Sequence, residues 1–473
     1  MSYELTKPCN RSSRSSRRKI SIDFSESHGL PNADDASKTD LAVQKASVGM
    51  LLSFVPSILV EQILAEPWDP AVRMPCHNIW GATSFIDISG FSSLASELQR
   101  KDDEARTTHK SKISGAESLT IFLNNTLRLL IDVVADFGGD IVKVGLMGAS
   151  CFAFPPTNSF PPPLPPPLPS PLPSPHLTHT PQFAGDAMIV LWRVKIKPGG
   201  ENTREVHLQK AKAVAKACKC ATKAVEALQV VNLHDKTVQK GSISQSPKNN
   251  LRNSQKKQSQ LSVHVGVGCG EVTAFHAGGL RSRWEYFIMG QACLDMNAAE
   301  GLASKGEIVI SKACLEILQD FSAELSITDF SFARKSNGFV QLNKLVGYNL
   351  PPKGDLNLVL TPTTIAKLHK SLRSYIPAPI VSSVDEGENL SGDGVLRELC
   401  VLFIKLTDLE TKFNPKIGIE RIGDKFQKAV VAIQEAAYHG RATLRQFIID
   451  DKGAVAIVVV GLPPVTAVKN SSR

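Results

Sequence analysis

No apolar run in this chain is long enough to cross a bilayer. The longest, around Met50–Val60, is broken by Ser53, Pro56 and Ser57 and falls well short of the roughly 20 residues a spanning helix needs. The amino terminus also lacks the hydrophobic core of a secretory signal. These absences set the expectation of a soluble, cytoplasmic protein. Nine cysteines are present, but none has the spacing of a zinc clasp. Cys218 and Cys220, one residue apart on a predicted helix, are badly placed to share an ion, so free thiols in a reducing compartment are expected. The chain carries a net charge of +9 but no nucleic-acid-binding motif. Its basic residues cluster in an amino-terminal tail (Arg11, Arg14, Arg17, Arg18, Lys19) and in a polar loop (Lys248, Arg252, Lys256, Lys257). Such runs are usually solvated, and no nucleic-acid partner is expected.

An apolar content of 42% and a charged content of 21% are ordinary globular values. The length of 473 residues is about three domains' worth of material. Residues 1–41 read as a disordered basic tail. Helix is predicted from Val43 into Pro56–Glu66, followed by a buried strand over Asn78–Ile88 that ends at Ser89-Gly90. Leu119, Leu123, Leu127, Leu130 and Val134 share one face of a long helix. Ile141–Lys143 and Met188–Trp192 read as strands and Glu205–Val230 as a helix. Residues 236–260 read as a flexible loop. Further strands are predicted at Leu261–Val267, Tyr286–Met289 and Glu307–Ile310. A Pro-, Ser- and Gly-rich connector covers 351–396. The pattern then restarts with a strand at Glu398–Leu406, a helical stripe (Ile422, Phe426, Val430, Ile433, Ala437) and a strand pair at Leu444–Ile449 and Ala454–Val460.

Two stretches read as one signature when the segment between them is removed. Phe137-Gly138-Gly139-Asp140-Ile141-Val142-Lys143 then runs into Phe183-Ala184-Gly185-Asp186-Ala187-Met188-Ile189-Val190-Leu191-Trp192. With Phe85-Ile86-Asp87-Ile88-Ser89-Gly90-Phe91 upstream, the joined motif resembles the first catalytic lobe of a class III nucleotidyl cyclase of the soluble, bicarbonate-sensitive adenylyl type. The resemblance implies an α+β fold of two ferredoxin-like lobes forming a pseudo-heterodimer. The first lobe would cover 42–350 and a truncated second lobe 397–473. The lobes would pair within the chain or, because of the truncation, with another chain.

The intervening segment 144–182 is nearly all Pro, Leu and Ser at its centre, Phe160–Pro175. A polyproline arm for an SH3- or WW-type partner and a plain surface loop are two readings of it. A proline run here would interrupt a strand, which favours a third reading, a translated intron whose pyrimidine-rich codons write these residues.

The implied activity converts ATP to cyclic AMP and pyrophosphate with two Mg2+ or Mn2+ ions. Asp87 and Asp186 would be the catalytic metal ligands, joined by the Ile88 carbonyl, while the amides of Ser89, Gly90 and Phe91 would hold the phosphates. Lys143 and Arg283 would bind bicarbonate, and Arg445 or Gln446 would meet the base. Asp140 reads as a turn residue. In the second half, Lys405 occupies the slot of Asp87 and Gly453 that of Asp186, so a single metal site is expected. Leu294 and Ala298 fill the slots of a transition-state Asn and Arg, as a metal-supplying lobe would have them. A catalytically inactive cyclase-homology fragment that binds nucleotide or a partner is the rival reading, with guanylate cyclase a further one.

Overall fold

The computed structural model describes residues 22–23, 35–90, 115–144, 187–240, 261–349, 358–359, 361–387, 399–409, 418–450 and 453–462, apart from isolated positions and short pieces between 93 and 100. In chain order the elements are β1 (Ile22–Asp23), α1 (Asp35–Leu51), α2 (Ser57–Ala65), β2 (His77–Ser89), α3 (Gly115–Asp136), β3 (Asp140–Val144), β4 (Ala187–Val194) and α4 (Arg204–Lys240). They continue as β5 (Ser262–Gly278), β6 (Trp284–Met289), α5 (Gln291–Gly301), β7 (Ile308–Ile310), α6 (Lys312–Asp320), β8 (Asp329–Arg334) and β9 (Val340–Val346). Last come β10 (Leu358–Val359), α7 (Pro362–Arg373), α8 (Ala378–Asp385), β11 (Cys400–Leu406), α9 (Ile419–His439), β12 (Ala442–Asp450) and β13 (Gly453–Val460).

The α+β expectation holds. A mixed sheet runs in the order β3-β4-β2-β5-β7-β9-β8, with β6 also pairing to β5. β5 pairs antiparallel with β2, parallel with β7 through its first half, and antiparallel with β6 through its second. Helices cover both faces. Ile86, Ile88, Val190 and Val265 share one core with Leu130, Val214 and Leu318 from α3, α4 and α6. Phe85, Ile189 and Val272 share the opposite core with residues of α1, α2, α5, α7 and α8. Side chains alternate along a strand, so Asp87 falls with Phe85 on the α5 face, away from Ile86 and Ile88.

A three-stranded antiparallel sheet, β11-β13-β12, carries α9. Its strand–helix–hairpin order repeats that of β2, α3, β3 and β4, as the sequence pattern indicates. The apolar stripe of α9 (Ile422, Phe426, Val430, Ala437) joins Phe447 from β12 and Phe275 and Phe287 from the main sheet in a third core. The Phe287 and Phe426 rings meet edge-on with centroids 5.1 Å apart, and Phe287 lies 5.1 Å from Phe447. Polar clamps fix the same junction. Gln427 bonds both backbone groups of Gly278, and the fully buried Gln434 donates to the Arg283 carbonyl at 2.8 Å. Gly278 has φ 109°, and a Cβ there would lie 2.6 Å from the Gln434 amide. Only glycine makes this turn and admits the clamp.

Several expectations need correction. The 351–396 stretch is not a featureless connector. Thr361 caps α7, and Ile365, Leu368 and Leu372 are buried against the main sheet. The Ser374 carbonyl receives the Trp284 amide at 2.7 Å. Apolar positions at helical spacing override the loop-like composition here. In the amino-terminal tail, α1 begins at Asp35 and Ile22–Asp23 pairs with Leu358–Val359, while the rest of 1–34 lies outside the described residues. α4 runs to Lys240, past the expected loop start at 236. The proline-rich segment, apart from Val144, lies outside the described residues; on either side of it, Val144 pairs with Met188 and Lys143 with Ile189.

Truncating Phe426 to Ala should cost about 3–5 kcal/mol, the usual range for a buried aromatic. Gln434→Ala should cost about 1–3 kcal/mol by leaving buried backbone groups unpaired. Urea midpoints measure both. A pH-dependent term is also expected from His276. Burial holds its pKa down to about 3, while its Nδ1 lies 2.9 Å from the Tyr375 hydroxyl and its Nε2 3.1 Å from Gln62 Oε1. The unfolded chain binds this proton below about pH 6.5 and the folded chain does not. Wild type should therefore lose up to about 1.4 kcal/mol per pH unit between 6.5 and 3 relative to His276→Gln, as denaturation curves at a series of pH values would measure.

Candidate active site

β2 is built to carry a polar group at its end. Its residues from Gly81 to Ile86 are all buried, and it is flanked along its length by β4 and β5. It stops where Gly90 turns the chain at φ 109°, a conformation that favours glycine. Asp87 is the last charged residue before that turn. It stands opposite His264 on β5 and opposite Ala187 on β4.

His264 Nε2 lies 3.3 Å from Asp87 Oδ2 and 2.9 Å from Glu300 Oε1. Glu300 comes from α5. That helix lies against β5 because Gly266 and Gly268 have no side chains. A Cβ on Gly266 would sit 2.3 Å from the Glu300 amide, and one on Gly268 2.2 Å from the Ala292 carbonyl. Thr83 anchors the same helix by donating to the Ala292 carbonyl at 2.9 Å. Asp87, His264 and Glu300 thus bring one ligand atom each within 4.8 Å of one another, all partly buried. Two hard carboxylate oxygens fit Mg2+ or Mn2+, and the imidazole also suits a transition metal.

Asp186 and Phe91 lie outside the described residues. Ser89 closes β2, with its Oγ 2.8 Å from Ser262 Oγ. Ile88 is fully buried as a side chain. Asp140 is no turn residue. It opens β3, is buried, and accepts the Ser57 and Ile58 amides at 2.8 and 2.9 Å. These are the first amides of α2, where a carboxylate satisfies unpaired donors and opposes the helix dipole.

Lys143 and Arg283 come together, joined by an anion the chain itself supplies. Glu285, only 3% exposed as a side chain, has Oε1 2.8 Å from Arg283 Nη2 and Oε2 3.7 Å from Lys143 Nζ. Strand alternation puts Glu285 on the side of Phe287 and Met289, which the three-stranded sheet covers. Burial lowers the Lys143 pKa to about 8. Glu285 opposes that shift, and the charges of Arg283 and Arg445 add to it. Arg445 therefore stands close enough for Lys143 to feel its charge. The β12–β13 register shifts between Leu444 and Gln446, so Arg445 sits on a bulge, which re-aims a side chain. Gln446 is buried.

Sequence reasoning missed His264, Glu300 and Glu285. Two of them carry a visible signal, a single polar side chain within an apolar strand: Val263-His264-Val265 and Trp284-Glu285-Tyr286. Glu300 carries none, because only the packing of α5 on glycines brings it near. The seven described cysteines are free thiols, as expected, and no described helix is long and apolar enough to cross a membrane.

No family model matches the chain. It is 22% identical over 436 residues to mouse adenylate cyclase type 10, covering 89% of this chain and 21% of that protein. Against the human adenylate cyclase type 10 it is 21% identical over 399 residues, covering 81% of this chain and 19% of the relative. The chain thus spans about a fifth of the length of the curated relatives it matches. Among solved structures, it is similar to the adenylyl cyclase CyaB from P. aeruginosa (17% identity, TM-score 0.31, 59% of this chain and all of that one). It is also similar to the guanylyl cyclase Cya2 (16% identity, TM-score 0.31, 60% of this chain and all of that one). Scores of that size leave the kinship resting on the sequence relatives. By sequence the chain is a homologue of the adenylate cyclase type 10 proteins, in keeping with the class III cyclase resemblance of its motifs.

Proposed function

We propose that the chain is the cyclase portion of an adenylate cyclase, converting ATP to cyclic AMP and pyrophosphate in intracellular signalling, in a cytoplasmic setting. The relation to adenylate cyclase type 10 across 89% of the chain carries this reading. The register around Asp87 supports its chemical part. Ala187 is the cross-strand partner of Asp87, and Asp186 directly precedes Ala187 in the sequence. A shared pair of divalent ions requires two such carboxylates close together.

Asp87 and Asp186 would hold the ions, with the Ile88 carbonyl completing one set of ligands. Bound Mg2+ or Mn2+ would activate the ribose 3′-hydroxyl and neutralise the departing pyrophosphate. The amides of Ser89, Gly90 and Phe91 would orient the terminal phosphates. Arg445 or Gln446 would meet the base. The domain reading belongs to the same proposal: a first lobe over 42–350, a connector over 351–396, and a second lobe over 397–473 that pairs with the first.

Lys143 and Arg283 are proposed to take bicarbonate. Glu285 already lies between these cations, so an added anion must displace or share with it. An inactive cyclase-homology module that binds nucleotide or a partner is the second reading.

Purified chain with Mn2+ and ATP should form cyclic AMP, and Asp87→Ala should lower the rate by more than about a hundredfold, beyond the usual loss from a supporting residue. Absence of product from folded wild type would favour the binding-module reading, and product from GTP alone would reassign the base. Bicarbonate stimulation should be small in wild type and larger in Glu285→Gln. It should disappear in Lys143→Ala and fade above about pH 8 as Lys143 loses its proton. A response unchanged by Lys143→Ala would remove the anion site from these residues.

A further inference from the structure

We infer that His264 and Glu300 are metal ligands alongside Asp87, making a mixed nitrogen–oxygen site that prefers Mn2+ to Mg2+. The inference rests on the reading of Asp87 as a metal ligand and adds two residues to it. The supporting geometry is the trio itself. One ring nitrogen, His264 Nε2, faces Asp87 Oδ2 at 3.3 Å and Glu300 Oε1 at 2.9 Å. A single N–H points at one acceptor only, so one of the two contacts is not a hydrogen bond. A divalent ion shared by the three atoms serves both carboxylates. With metal–ligand distances of about 2.1 Å, neighbouring ligands lie about 3.0 Å apart in octahedral and about 3.4 Å apart in tetrahedral geometry. The two separations from His264 Nε2, 2.9 and 3.3 Å, match that spacing.

The three ligands are also held rigidly. Asp87 and His264 are direct cross-strand partners in the middle of the sheet. Glu300 is fixed by the contact of α5 with Gly266, where no larger residue fits. The donor set decides the ion. Mg2+ favours oxygen and keeps its water, whereas imidazole raises affinity for Mn2+ and later transition metals.

The test is direct Mn2+ binding to the full chain without nucleotide, followed by the electron paramagnetic resonance of free Mn2+, with Mg2+ as competitor. Wild type should bind Mn2+ at least about tenfold more tightly than Mg2+. His264→Ala, His264→Gln and Glu300→Gln should each weaken Mn2+ at least about tenfold while affecting Mg2+ less. Circular dichroism and metal-free melting identify any variant that fails to fold, and the remaining two substitutions then decide. Mn2+ affinity within twofold of wild type in the folded variants would overturn the assignment and leave His264 as an ion-pair partner. So would wild type that binds Mn2+ no better than Mg2+. The cyclase reading is judged separately. Metal binding that depends on His264, in a chain making no cyclic AMP, keeps this site and removes the enzyme. Cyclic AMP formation with unchanged Mn2+ affinity does the reverse.

Discussion

All thirteen residues of β2 pair with β5, from His77–Ala274 to Ser89–Ser262, and the site depends on that ladder. It fixes Asp87 opposite His264, and because side chains alternate, it also decides which face both of them use. A one-residue slip would turn Asp87 into the apolar core formed by α3, α4 and α6 and carry Ile86 and Ile88 to the face of α5. The cost of burying a carboxylate without a partner holds the register against it.

β5 does more than pair. Its glycines admit α5, which delivers Glu300, and its far end reaches Phe275 and Ala277 in the core shared with α9. The strand therefore couples the Asp87 cluster at one end to the junction with the three-stranded sheet at the other. At that junction aromatic packing supplies area, while Gln427 and Gln434 supply direction by saturating the backbone of the turn between β5 and β6. Both kinds of contact are needed, because apolar packing alone is permissive about register.

Two clusters of charged groups differ in character. Around Asp87, two carboxylates share one imidazole at a strand end, an arrangement suited to a cation. Around Glu285, one carboxylate is shared by Lys143 and Arg283 with Arg445 nearby, an arrangement suited to an anion. In the second group the chain provides the anion itself. A buried carboxylate with two cationic partners offsets desolvation that each charge alone would suffer in full.

The sequence alone indicated the main strands and helices of both halves. Apolar runs marked β2, β4 and β13, a 3.6-residue stripe marked α9, and the repeat of strand, helix and hairpin was legible from the restart of that pattern after 396. The Asp87 motif was legible for the same reason, as a lone carboxylate ending an apolar strand. The tertiary structure decided what lies far apart in sequence. It placed two docked helices, α7 and α8, within the loop-like stretch and made Asp140 the partner of the first amides of α2 rather than a turn residue. Glu300 joined His264 and Asp87 only through the fit of α5 on Gly266 and Gly268. Local propensity acts over a turn or a strand, whereas these placements follow from burial and from unpaired polar groups seeking partners across the fold.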